Sequence, residues 1–187
     1  LLNKEKRKRF VYYLNMPVTG ISYDQALAFC KWRTAVDSVI LKKQLDLYST
    51  SIREKDKLIE EWRYLRNFRY TLPTAAQFDI MNSGVDSLSK DNQANFNYRN
   101  AFRKNADLYG SGPVNVFEFE KPYYQRKNYR IAHIQGNVAE MTAERGIAKG
   151  GSYYHPAAES YPGTEIRYTD PAPWLGFRCV GIKYAIK

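Results

Sequence analysis

The C-terminal third of the chain is cut into pieces too short for anything but small strands. NVAEMT, AKGGSYY, EIRYT and FRCVGIKY are separated by Gly, Pro, Asn, Asp and Ser, the residues that start turns because they tolerate unusual backbone angles or bond to their own main chain. Short extended pieces at this spacing predict a small antiparallel sheet. The chain has no internal repeat, no GxGxxG and no P-loop.

The N-terminal half reads differently. Ser22 with Gln25 three residues on forms a capping box, and Ala26, Phe29, Cys30 and Trp32 follow at helical spacing, so residues 23–36 are expected to be helical. Thr74 and Gln77 repeat the cap in YTLPTAAQFD, predicting a second helix that ends at Gly84. Between them Leu41, Leu45, Tyr48, Ile52, Ile59 and Trp62 recur among Lys, Glu, Asp and Arg. That spacing predicts a charged amphipathic helix over 37–67, or two helices broken near Ser49–Ser51. Its stripe either packs on its own domain, the reading favoured here, or forms a seam for a partner helix. Residues 85–129 are rich in Asn, Ser and Tyr and read as loop with short extended pieces. The sum is an α+β domain.

At 187 residues the chain is long enough for a core that folds unaided. Its hydrophobic share of 44% excludes a disordered polymer. No apolar run reaches the ~18 residues of a membrane span. Lys and Arg total 29 against 19 Asp and Glu, a balance of +10 that attracts acidic surfaces and anionic glycans. Nucleic acid is not expected, because neither zinc-finger spacing nor an RNP-type aromatic string is present. The basic leader, residues 1–16 with KEKRKR, suggests a processed product or a part of something longer, so a missing signal says nothing about export. Cys30 and Cys179 form no CxxC pair and no zinc spacing. They are either small buried apolar residues or a bridge.

Four blocks stand in order: PVTGISYDQALAFCKW, YTLPTAAQFD, GNVAEM followed by KGGSY, and GFRC. In this order they resemble the formylglycine-generating-enzyme (sulfatase-modifying factor) superfamily, from Pro17 to Cys179. The resemblance implies an irregular, C-type-lectin-like variant fold over 17–187, with 37–67 as a helical insertion. Tyr23, Phe78, Met141 and Tyr153 stand where the family has Trp, swaps that keep bulk and apolarity. The resemblance also implies that Cys30 and Cys179 are a structural disulfide.

Catalytic relatives hold copper with two thiolates shortly after GGS, because Cu(I) chemistry needs soft sulfur ligands. Here GSYYHPAAESYPGT carries no cysteine, and His155 and Ser160 fall at those positions. A second catalytic branch clusters histidines around iron, whereas only His133 and His155 exist here. No catalytic residue or catalytic cofactor is therefore expected. The resemblance does imply a structural calcium site at Asn137 and Glu140 of GNVAE, the alternative being a left-handed turn at Asn137 and an arginine partner for Glu140. Tyr154, His155, Tyr161, Arg167 and Trp174 are candidates to line a groove for a partner or ligand, the alternative being a filled cleft.

The layout from KGGSYY to GFRC is also similar to the non-catalytic gliding-motility and type IX secretion lipoproteins of Bacteroidota. That likeness implies an exported protein on the periplasmic face of the outer membrane, with envelope proteins as partners. An oxidase with an atypical site and a lectin-like peptide or glycan binder are the other readings.

Overall fold

The computed structural model describes residues 15–47, 56, 59–60, 68–86, 112–115, 123–126 and 129–183. The basic leader to residue 14, the expected break at 49–51 and most of the Asn-rich middle lie outside them. The chain divides into two compact units. One comprises Leu1–Ser22 and Pro73–Arg178, the other Tyr23–Leu72 and Cys179–Lys187.

In the smaller unit, helix α1 spans Tyr23–Leu47, 25 residues or about 37 Å at 1.5 Å per residue. It runs well past the expected end at 36, into the region read as the start of the charged helix. No Gly or Pro interrupts 21–47 to stop it. Strand β1 (Phe68–Thr71) pairs antiparallel with the last strand, Val180–Lys183. The helix is fastened to β1 by side chains. Thr34 Oγ1 accepts the Tyr70 amide at 2.9 Å, and the Arg33 guanidinium lies 4.5 Å from the centre of the Tyr70 ring. Asp56, Ile59 and Glu60 are helical, as the amphipathic pattern predicts.

The larger unit carries α2 (Ala75–Asp86), entered through the predicted capping box. Thr74 Oγ1 accepts the Gln77 amide at 3.1 Å, and Gln77 Oε1 accepts the Thr74 amide at 2.9 Å. The helix continues past Gly84 to Asp86. Strands β2 (Tyr123–Arg126) and β3 (Tyr129–Ala132) pair antiparallel; β2 is an extended piece within the 85–129 stretch, and β3 starts at the end of that stretch. Strands β4 (Ala139–Met141), β5 (Ile147–Lys149), β6 (Ile166–Arg167) and β7 (Leu175–Gly176) make a sheet in the order β6-β5-β4-β7. The Val180–Lys183 strand of the smaller unit is β8. The expectation of a purely antiparallel sheet is corrected here, because β4 and β7 run parallel, Ala139 against Leu175 and Glu140 against Gly176. A chain returning after a long loop is free to approach from either direction, whereas a hairpin is not. Phe78 of α2 and Ile134 are buried at the core, with Met81, Ile131 and Ala157 packed on them.

Candidate functional site

The segment after β5 is shaped by two glycines. Gly150 has φ +89°, and a Cβ there would lie 2.8 Å from the Ile134 carbonyl oxygen and 2.9 Å from the Phe78 ring. Gly151 has φ +67°, and its Cβ would fall 2.1 Å from Ser160 Oγ. Both positions demand a residue without a side chain, for backbone angle and for space. The glycines thereby bring the backbone against the core and against the 3-10 turn Ala157–Ser160. Just before them Lys149 is buried, its Nζ 2.8 Å from Asp79 Oδ2, while Asp79 Oδ1 accepts the Gly163 amide at 2.9 Å.

Past the glycines, Ser152 and His155 close a tight turn. Ser152 Oγ is 2.6 Å from His155 Nδ1 and accepts the Tyr154 amide at 3.1 Å. Burial holds the His155 pKa below its ordinary value, with the Glu159 carboxylate opposing that shift. The ring is therefore neutral near pH 7. The serine oxygen, which accepts Tyr154 N–H, keeps both a second lone pair and its own proton for this contact, so the hydroxyl donates to Nδ1 in one imidazole tautomer and accepts from it in the other. A Ser–His contact invites comparison with a nucleophile and its base. Ser152 is fully buried, however, so no substrate carbonyl reaches its oxygen, and the pair serves the turn.

Ser160, the other residue aligned with a family thiol, is buried too. Its carbonyl accepts Asn82 Nδ2 at 2.9 Å, and Asn82 Oδ1 accepts Gln135 Nε2 at 2.7 Å. The Ser160 hydroxyl is sealed in with no hydrogen-bond partner among the described residues. Neither a ring nitrogen tied to a serine nor a hydroxyl is a soft ligand, so the donor set does not fit Cu(I).

Of the five groove candidates, the structure brings three together. The His155 ring stands edge-on to Trp174, centroids 4.7 Å apart, and to Tyr154 at 5.6 Å. Tyr154 and Trp174 are near-parallel, 13° between planes and 6.5 Å between centroids. Tyr154 is exposed and His155 is buried. Tyr161, after the 3-10 turn, is at the surface, and Arg167 is an exposed residue of β6 opposite Ile147. Tyr153 is buried as expected, which raises its hydroxyl pKa.

At the GNVAE turn the geometry supports the alternative to calcium. Asn137 adopts φ 63° and spends both ends of its amide on one residue: Oδ1 accepts Val114 N at 2.8 Å and Nδ2 donates to Val114 O at 3.0 Å. Glu140 is buried against Arg178, which donates through Nε and Nη2 to the two carboxylate oxygens. A turn-holding amide and a carboxylate neutralised by an arginine do not fit calcium, which needs 6 to 8 oxygens free to face it.

Cys30 and Cys179, within the smaller unit, lie with sulfurs 3.3 Å apart as two thiols in hydrogen-bond contact. They meet where the resemblance implies a bridge. Burial, with the neighbouring thiol adding to it, pushes the Cys30 pKa up to about 12. Burial also raises Cys179.

Residue reading missed the Ser152–His155 contact, the Asn82–Gln135–Ser160 chain and the Lys149–Asp79 pair. The first joins positions three apart, and its serine lies in AKGGSYY, the piece read as extended, whereas the strand ends at Lys149. The others join residues 53 to 78 positions apart and leave no local mark.

The family described as "Sulfatase-modifying factor enzyme 1-like domain" matches residues 2–182. No curated protein and no solved structure gives a significant match.

Proposed function

The chain belongs to the sulfatase-modifying factor enzyme 1-like family, and on that premise we propose that it is a non-catalytic member acting as a cell-envelope scaffold or interaction subunit. The observation that carries the reading is the pair His155 and Ser160. Where catalytic relatives place thiolates, this chain has an imidazole bonded to Ser152 and a hydroxyl sealed against Gly151. What remains of that region is a surface, with an exposed Tyr154 beside Trp174. Such a surface suits a partner protein in an exported assembly of the gliding-motility or type IX secretion kind, at the periplasmic face of the outer membrane.

The first test is chemical: with Cu(I), oxygen and a CxPxR peptide, mass spectrometry is expected to find no formylglycine, and its formation would sink the proposal. Stoichiometric copper or iron in protein purified from its native source would revive the oxidase reading. The second test is mild crosslinking in the native envelope followed by pull-down. Recovery of secretion or motility components supports the scaffold role, whereas recovery of sulfatases redirects it. The aromatic group of Tyr154, His155 and Trp174 favours a second reading, a lectin-like peptide or glycan binder. Glycan-array binding abolished by Trp174→Ala would select that reading.

A further inference from the structure

α1 has two apolar faces. One carries Ala26 and Cys30, both buried, with Thr34 beside them bonded to β1. The other is open: Trp32 is 58% exposed, Val39 53%, Ile40 50% and Phe29 39%, with the Phe29 and Trp32 rings 5.4 Å apart. A helix apolar on two sides is ordinarily covered on both. The open face keeps a seven-residue period, Phe29 with Val36 and Trp32 with Val39, the a/d seam of a helix that packs on another helix.

The pattern is also self-complementary. Turning the helix end for end about Thr34 sets Phe29 opposite Val39, Trp32 opposite Val36, Ala28 opposite Ile40 and Gln25 opposite Lys43. Every large apolar side chain of the seam then meets an apolar one. Charge agrees with this direction. Exposed Asp24 in the first turn comes within two positions, about 3 Å of rise, of exposed Lys42 near the other end of the partner helix. A parallel pair would instead set Lys31, Lys42 and Lys43 each against its own copy and align the helix dipoles unfavourably. An isologous contact needs one patch complementary to itself.

We propose that α1 pairs antiparallel with α1 of a second copy of this chain, across a two-fold axis at Thr34, through Phe29, Trp32, Val36 and Val39. This pairing does not rest on the scaffold reading and holds equally for an active enzyme.

Sedimentation equilibrium and light scattering on the full chain test it. Across the micromolar range the mass is expected to rise from 21.8 kDa to twice that value. Trp32→Glu and, separately, Val39→Lys are expected to weaken association by about 30-fold or more, as loss of a central anchor does, with circular dichroism unchanged because both sites are exposed. Direction is read by crosslinking: under mild oxidation Phe29→Cys protein joins Val39→Cys protein and not itself. A mass of one chain at every concentration, a dimer indifferent to both charge variants, or 29-to-29 crosslinks would each overturn the proposal.

Discussion

Arg178 ties the GNVAE turn to the end of β3. Its guanidinium closes on the Glu140 carboxylate, and its Nη2 also donates to the carbonyl oxygens of Ala132 at 3.1 Å and His133 at 3.3 Å. His133 itself is held at φ 51°, a left-handed angle that a non-glycine residue keeps only when its surroundings require it.

That relationship makes Glu140→Gln a costly change. It leaves a mostly buried guanidinium without its counter-charge, and breaking such a pair by removing one partner costs about 3 kcal/mol. Chemical denaturation should show a loss of that order. Calcium chloride or a chelator, by contrast, should leave the melting temperature of the unaltered protein where it was. A calcium-dependent rise abolished by Glu140→Gln would restore the metal reading.

His155 sets a pH dependence of definite sign. Burial lowers its folded-state pKa below the unfolded 6.5, so the unfolded chain binds more protons once pH falls past the unfolded value. Stability therefore drops as pH falls below about 6.5 and is indifferent to this group above it. His155→Asn keeps an acceptor for Ser152 and removes the titration. Thermal melts from pH 7.5 to 5 should show a smaller acid loss in the variant than in the parent.

Gly151 and Ser160 form a packing pair whose two substitutions act in opposite directions. Gly151→Ala places a Cβ 2.1 Å from Ser160 Oγ at a positive φ and is expected to cost about 2 to 4 kcal/mol, from strain together with overpacking. Ser160→Ala removes a buried hydroxyl that has no hydrogen-bond partner among the described residues and should stabilise the protein by about 1 kcal/mol. Urea midpoints of the two variants decide both.

The thiols of Cys30 and Cys179 should be slow to alkylate at pH 8, since a Cys30 pKa of about 12 leaves almost no thiolate. A thiol oxidant should nevertheless join them within one chain, read as the loss of two hydrogens. Closing so long a loop is worth about 4 to 5 kcal/mol in the chain-entropy model, so the oxidised form should melt higher. Rapid alkylation of the native protein, or oxidation only between chains, would contradict the observed contact.

What the chain could say by itself was local or was carried by whole ordered blocks. Thr74 and Gln77 announce the start of α2 because a capping box is closed within three residues. The paired glycines at 150 and 151 mark a close backbone approach because no other residue tolerates it, and the absence of thiols after GGS is visible by inspection. The blocks from Pro17 to Cys179 pointed to the family that residues 2–182 match. Only the tertiary structure decided that β7 lies parallel to β4, that Ser160 rather than solvent faces Gly151, and that Arg178 and Val114 satisfy Glu140 and Asn137. It also decided which of α1's two apolar faces stays open. Each of these is a meeting of residues distant along the chain. A hydrogen bond or an ion pair constrains position in space and not spacing in sequence, so no periodicity records it.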